Sequence, residues 1–190
     1  MQSKIYYAFN VSLDGFIEDA RGSLDWSNPD EELHRHFNQK EAETDIFLYG
    51  RRLYETMAAF WPTAEQDPSL PEYILEYARI WNAKPKLVFS KTLAEVGSNS
   101  RLVRDDLAGE IRKLKAQPGK TISVGGAGLA ASLMQLGLID EYSVYIHPVI
   151  LGGGKPMFPA LRQKIDLQLV GTQTFSSGVV LLRYEIVNER

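Results

Sequence analysis

Three short stretches of the chain carry residue types that hold phosphate. "LYGRRLYE" sets Gly50 before Arg51 and Arg52, so the backbone can turn tightly and the arginines open a helix whose free N–H groups and dipole favour an anion. "VFSKT" supplies Ser90, Lys91 and Thr92, a hydroxyl, an ammonium and a second hydroxyl that can hold a terminal phosphate. In "SVGGAGLAASL", Gly125, Gly126 and Gly128 bare the backbone around Ala127 and Leu129 at a helix start, where a pyrophosphate can approach. Each stretch alone also fits an ordinary turn, and neither the GxGxxG fingerprint nor the GxxxxGK[ST] loop occurs in them. Their weight lies in convergence, because strand-to-helix turns of a parallel sheet share its carboxyl edge.

"SLDGFIEDARGSLDW" raises a separate question. Asp14-Gly15 makes a turn, Phe16 and Ile17 return briefly to apolar character, and a polar loop ends in Trp26. An Asp-Gly pair serves a turn without further purpose, so a chemical role for the Asp14 carboxylate has to come from the rest of the chain.

The elements that position these residues follow from periodicity. Ile5, Tyr7, Phe9, Val11 and Leu13 alternate with Tyr6, Ala8, Asn10 and Ser12, which predicts a first strand with one apolar and one mixed face. "SNPDEELHRHFNQ" predicts a helix with Asn28 as N-cap, Pro29 at the first helical position and Glu31 in a capping box. "TDIFLYG" and "KPKLVFS" read as buried strands, "RRLYETMAAFW" and "LPEYILEYARIWN" as helices, and "DDLAGEIRKLKAQPG" as a helix capped by Asp105 or Asp106. "KTISVGGAGLAASLMQLG" is strand, glycine turn and helix. "DEYSVYIHPVILGGGKPMF" is a strand running into a glycine loop, and "DLQLVGTQTFSSGVVLLRYEIV" is two β-rich runs joined around Ser176-Ser177-Gly178. Alternation followed by a terminal hairpin predicts an α/β sheet, mainly parallel with an antiparallel edge, in one domain over residues 1–190.

Composition narrows the partners. A net charge of −3 over 190 residues, with scattered Lys and Arg, gives no footprint for a nucleic-acid backbone or an anionic membrane. With no cysteine there is no thiolate nucleophile and no cysteine metal site, and three histidines make a poor metal centre. No apolar run approaches the ~18 residues of a membrane span, so a cytoplasmic protein is expected.

Taken together, "SLDGFI", "GRRLYET", "LVFSKTL", "ISVGGAGLAASL" and "LIDEYSVYIHPVILGGGKPMF" resemble the dihydrofolate reductase-like family, nearest to the C-terminal reductase domain of the riboflavin-biosynthesis deaminase-reductase. The resemblance covers nearly the whole chain. It implies a twisted, mainly parallel eight-stranded sheet flanked by helices, NADPH as cofactor and a homodimer. It also implies that Gly50, Arg51 and Arg52 lie at the cofactor phosphates, Ser90, Lys91 and Thr92 at the adenosine 2′-phosphate, and Gly125 to Leu129 at the pyrophosphate. Asp14 would line the substrate pocket as ligand or acid, with Asn10 and Ser12 beside it and Gly153, Gly154 and Lys155 meeting a ribose phosphate.

Two departures stand out. Leu53 takes the place of a usual threonine, and the helix carboxylate of true dihydrofolate reductases does not align cleanly, leaving Asp30 or Glu31 as second choice for the acid. The implied activity is hydride transfer from NADPH to a carbon–nitrogen double bond of a pyrimidine- or pterin-type small molecule, the phosphoribosylamino-uracil of riboflavin synthesis foremost. A fold kept for nucleotide binding without turnover, or a pterin reductase, are the alternatives.

Overall fold

The computed structural model describes residues 3–158 and 160–187. In chain order its elements are β1 (Lys4–Ser12), β2 (Phe16–Glu18), α1 (Glu31–Ala42), β3 (Ile46–Gly50), α2 (Arg51–Ala64), α3 (Glu72–Ala83), β4 (Lys86–Phe89), β5 (Ser100–Val103), α4 (Leu107–Lys115), β6 (Thr121–Gly125), α5 (Ala127–Gln135), β7 (Glu141–His147), β8 (Lys155–Pro156), β9 (Leu167–Thr174) and β10 (Val180–Ile186), with a 3-10 turn at Asp25–Ser27. Eight strands form one sheet in the order β5-β4-β3-β6-β1-β7-β10-β9, and β2 and β8 pair separately. The sheet is parallel from β5 to β7, and β10 runs antiparallel to both β7 and β9. This is the mainly parallel sheet with an antiparallel C-terminal pair that the sequence pattern predicts, with the eight strands that the family resemblance implies.

Helices cover both faces, which explains why the alternation in β1 does not separate an inside from an outside. Ile5 and Tyr7 pack with Leu129 and Leu133 of α5 and Ile111 of α4. Tyr6, on the other face, is 1% exposed and hydrogen-bonds the Thr44 hydroxyl at 2.6 Å behind α1. Phe47, Tyr49 and Val88 on that side pack with Tyr54 of α2 and Trp81 of α3. A central parallel strand is buried on both sides in this way. The N-terminus of α1 differs from the expectation: Asp30, not Asn28, is the N-cap, and its carboxylate accepts from the Leu33 N–H at 2.9 Å. Asn28 precedes a proline and stays extended at ψ 120, so the helix starts at Glu31.

Candidate active site

The carboxyl ends of β3, β4 and β6 lie side by side, with Gly50 opposite Phe89 and Tyr49 opposite Gly125. A cavity of about 740 Å³ opens there, walled by Gly50, Arg51 and Arg52, by Ser90 and Lys91, and by Gly126 to Leu129. The turns after β3 and β6 pack backbone on backbone. Gly126 has φ +100, and a Cβ on it would stand 3.6 Å from the Gly50 nitrogen. Gly126 is restricted by that angle and Gly125 by space, since a Cβ on Gly125 would meet the Tyr49 ring at 2.6 Å. Gly128 differs from both: its backbone is ordinary and its Cβ would face open space.

Two helix N-termini meet at this cavity without caps of their own. Neither Gly50 at α2 nor Gly126 at α5 offers a side-chain hydrogen bond to the first turn, whereas Asp30 and Asp106 cap α1 and α4. Free N–H groups and the positive dipole ends are thus presented to whatever fills the cavity. Arg51, Arg52, Lys91 and Arg104 add positive charge to its wall. Arg104 also holds the loop after β4, donating to the carbonyls of Lys91 at 3.3 Å and Ala94 at 3.2 Å. The Ser90 hydroxyl accepts from Thr92 N–H at 3.2 Å and Leu93 N–H at 2.9 Å, which leaves its own proton free to donate. The Thr92 side chain is exposed and lies off the wall.

A second cavity, of about 280 Å³, adjoins the first, and Phe9 and Leu53 belong to the walls of both. It is lined by Asn10 from β1, by His34, Phe37 and Glu41 from α1, and by Trp61, Tyr77 and Tyr145. His34, Phe37 and Glu41 share one helical stripe, spaced three and four apart. Asn10 Oδ1 and Glu41 Oε2 are shielded from solvent and have no hydrogen-bond partner. Burial pushes the Glu41 carboxyl up to about 7, although the Tyr6 and Thr44 hydroxyls and the ammonium groups of Lys40 and Lys84 pull the other way. Burial holds His34 below the usual imidazole range, outweighing its contact with Asn38. The histidine is therefore neutral at pH 7.

The carboxylates singled out in the sequence lie elsewhere. Asp14 is exposed, and its oxygens accept from the Ser12 hydroxyl at 2.6 Å, Leu151 N–H at 3.1 Å and Gly152 N–H at 2.7 Å. Those donors, the Ser12 hydroxyl foremost, hold it below the usual carboxylate range. It ties the β1–β2 turn to the loop after β7 and lies on neither cavity wall. Ser12 is buried, and its oxygen also accepts from Phe16 N–H at 2.9 Å. Asp30 caps α1, and Glu31 pairs with Arg35 at 2.8 Å on the exposed side of that helix.

Lys155 reaches the first cavity beside Glu18, 3.4 Å away, whereas Gly153 and Gly154 are on neither wall. Gly154 instead permits the β2–β8 contact, since a Cβ there would collide with the Glu18 carbonyl. Asp14→Asn follows from this geometry: an amide turns its NH₂ toward donors, so the melting temperature should fall, as thermal melting would measure.

The family model of the RibD C-terminal domain matches residues 3–181 of the chain. The chain belongs to this family. It is 39% identical over 184 residues to the uncharacterized protein YyaP of Bacillus subtilis, covering 96% of this chain and 95% of that protein. Among solved structures it is similar to a putative riboflavin biosynthesis protein from Shewanella sp. PV-4, with TM-score 0.74 and 24% identity over 99% of this chain and 100% of that one. A dihydrofolate reductase from Enterococcus faecalis, complexed with NADP(H), superposes with TM-score 0.63 at 12% identity over 97% of both chains. The fold is thus dihydrofolate reductase-like, and family membership gives it the character of a reductase. Among the described residues no helix is long and apolar enough to cross a membrane.

Proposed function

We propose that the chain is an NADPH-dependent reductase with the dinucleotide in the first cavity and a small planar substrate in the second. The observation that carries this reading is that the two cavities meet at Phe9 and Leu53, so a ring in each would come into contact there. Arg51, Arg52, Lys91 and Arg104 would hold phosphates, with the Ser90 hydroxyl beside them and the N–H groups following Gly50 and Gly126 on the pyrophosphate. The close packing of Gly126 on Gly50 keeps that backbone within reach of an anion. Thr92 contributes through its place in the turn.

The hydride comes from the nicotinamide when NADPH is bound. That hydride would reduce the carbon of a carbon–nitrogen double bond, with a proton added at the nitrogen and NADP⁺ as the oxidised product. The protein's part is to orient the two rings, exclude water and keep a proton source close. Glu41 is a carboxyl on the second cavity's wall whose proton burial holds more tightly than an exposed glutamate would. Pyrimidine- and pterin-type compounds are the substrate class.

Loss of the reduced-nicotinamide absorbance in the presence of such compounds is the test. Oxidation of NADPH with at least one of them is expected. Tight NADPH binding with no oxidation across the class would instead mean a nucleotide-binding protein that has lost turnover.

A further inference from the structure

On the second cavity's wall, His34 has its ring protons fixed by the groups behind it. Its Nδ1 lies 3.1 Å from Asn38 Oδ1, one turn further along α1. Asn38 is buried, and its amide nitrogen meets two acceptors on α3, the Tyr73 carbonyl at 2.8 Å and Glu76 Oε2 at 2.7 Å. An amide nitrogen carries two protons and an amide oxygen none, so these acceptors decide which way round the amide sits. The oxygen left facing His34 can only accept, and the proton between them is therefore on Nδ1. A neutral imidazole has one ring proton, and burial keeps His34 neutral at pH 7, so Nε2 is a bare acceptor.

Other polar atoms of this wall are closed off or already paired. Asn10 Oδ1 and Glu41 Oε2 are shielded from solvent, and the Tyr145 hydroxyl lies 3.0 Å from His36 Nε2. Among the described residues, His34 Nε2 is neither shielded in that way nor hydrogen-bonded, on a ring that lines the cavity beside Trp61 and Tyr77. We infer that His34 is a ligand-binding group of the second cavity, accepting an N–H or O–H of the substrate at Nε2, and that Asn38 is the positioning residue that makes it an acceptor by locking the Nδ1–H tautomer. The substrate role rests on the reductase reading, whereas the lock does not. In an unconstrained histidine the proton prefers Nε2, so without Asn38 the same ring would present a donor. A ligand that brings a bare acceptor to this point meets lone pair against lone pair and is disfavoured. Facing the ring are Tyr73, Tyr77 and Glu76 from α3, Trp61 from α2 and Asn38 from its own helix. Glu76 and the Asn38 contact favour the charged imidazole, but burial outweighs both, so Nε2 gains its proton only in acid.

Nitrogen-15 NMR of the nucleotide-free protein, labelled at histidine and held at neutral pH, reads the ring protons directly, with the His34 signals assigned by their loss in His34→Phe. His34 should show a protonated Nδ1 and an unprotonated Nε2. In Asn38→Leu, once melting shows it folded, the proton should move to Nε2. Pterin, whose ring N–H and amino groups donate, serves as the probe: at saturation it should shift the Nε2 resonance toward the protonated value. Calorimetry should find pterin at least ~10-fold weaker on His34→Phe, which keeps an aromatic ring in place. Because no dinucleotide is present, a failure of NADPH to bind counts against the reductase reading and registers separately. A wild-type His34 with its proton on Nε2 would overturn the inference, whether or not Asn38→Leu folds. So would pterin that does not bind, or that binds and leaves the Nε2 resonance unmoved.

Discussion

Gly128→Val should weaken NADPH binding at least ~100-fold, about 2.7 kcal/mol, without unfolding the protein. Gly128 lines the first cavity, has ordinary backbone angles and offers open space to a Cβ, so a valine fits the fold and occupies the space a pyrophosphate would take. Gly126→Val should also abolish binding, but its φ of +100 strains any side chain and mixes a folding defect into the result. Circular dichroism and melting on Gly128→Val, followed by calorimetry with NADPH, make the comparison. Wild-type affinity in the folded variant would remove the α5 turn from the dinucleotide site.

The second large effect concerns stability and pH. Glu41 titrates at about 7 in the folded protein against a usual 4.5, so the folded state holds this proton more tightly than the unfolded chain. Stability from this group is fully present below pH 4.5 and is lost as pH rises through about 7. A displacement of this size corresponds to roughly 3 kcal/mol as an upper figure. Glu41 as a whole keeps some solvent contact, but its Oε2 has none, and it is the carboxyl that titrates. Denaturant unfolding at several pH values should show this decline in the wild type and a flatter curve in Glu41→Gln, whose amide stays neutral throughout. Parallel curves for the two proteins would mean that Glu41 is ionised at pH 7 like an exposed glutamate.

What the sequence made legible was local. Glycine at a strand end followed by basic residues is a short pattern, and the sheet order then brought Gly50, Ser90 and Gly126 onto one wall. β5 went unread because "SRLV" is four residues without alternation, and Arg104 went with it: its reach to Lys91 and Ala94 exists only once β5 lies against β4. Among the carboxylates, sequence offers no means of ranking Glu31, Glu32 and Glu41 on one helix. Packing separates them: Glu31 pairs with Arg35 at the surface, whereas Glu41 is turned among tyrosines from β1, β3, α3 and β7. Asp14 was ambiguous in sequence for a related reason. A turn carboxylate and a pocket carboxylate look alike until the loop at Leu151 and Gly152 is seen donating to it.

Calorimetric titration of the wild-type chain with NADPH and with NADH bears most directly on the first cavity as an NADPH site. The two differ by one phosphate, and Lys91, Arg104 and Ser90, which share the first cavity's wall, are the groups proposed to meet it. NADPH should bind at least ~10-fold tighter, about 1.4 kcal/mol, and Lys91→Ala should reduce that preference. Equal affinities, or binding of neither, would contradict it.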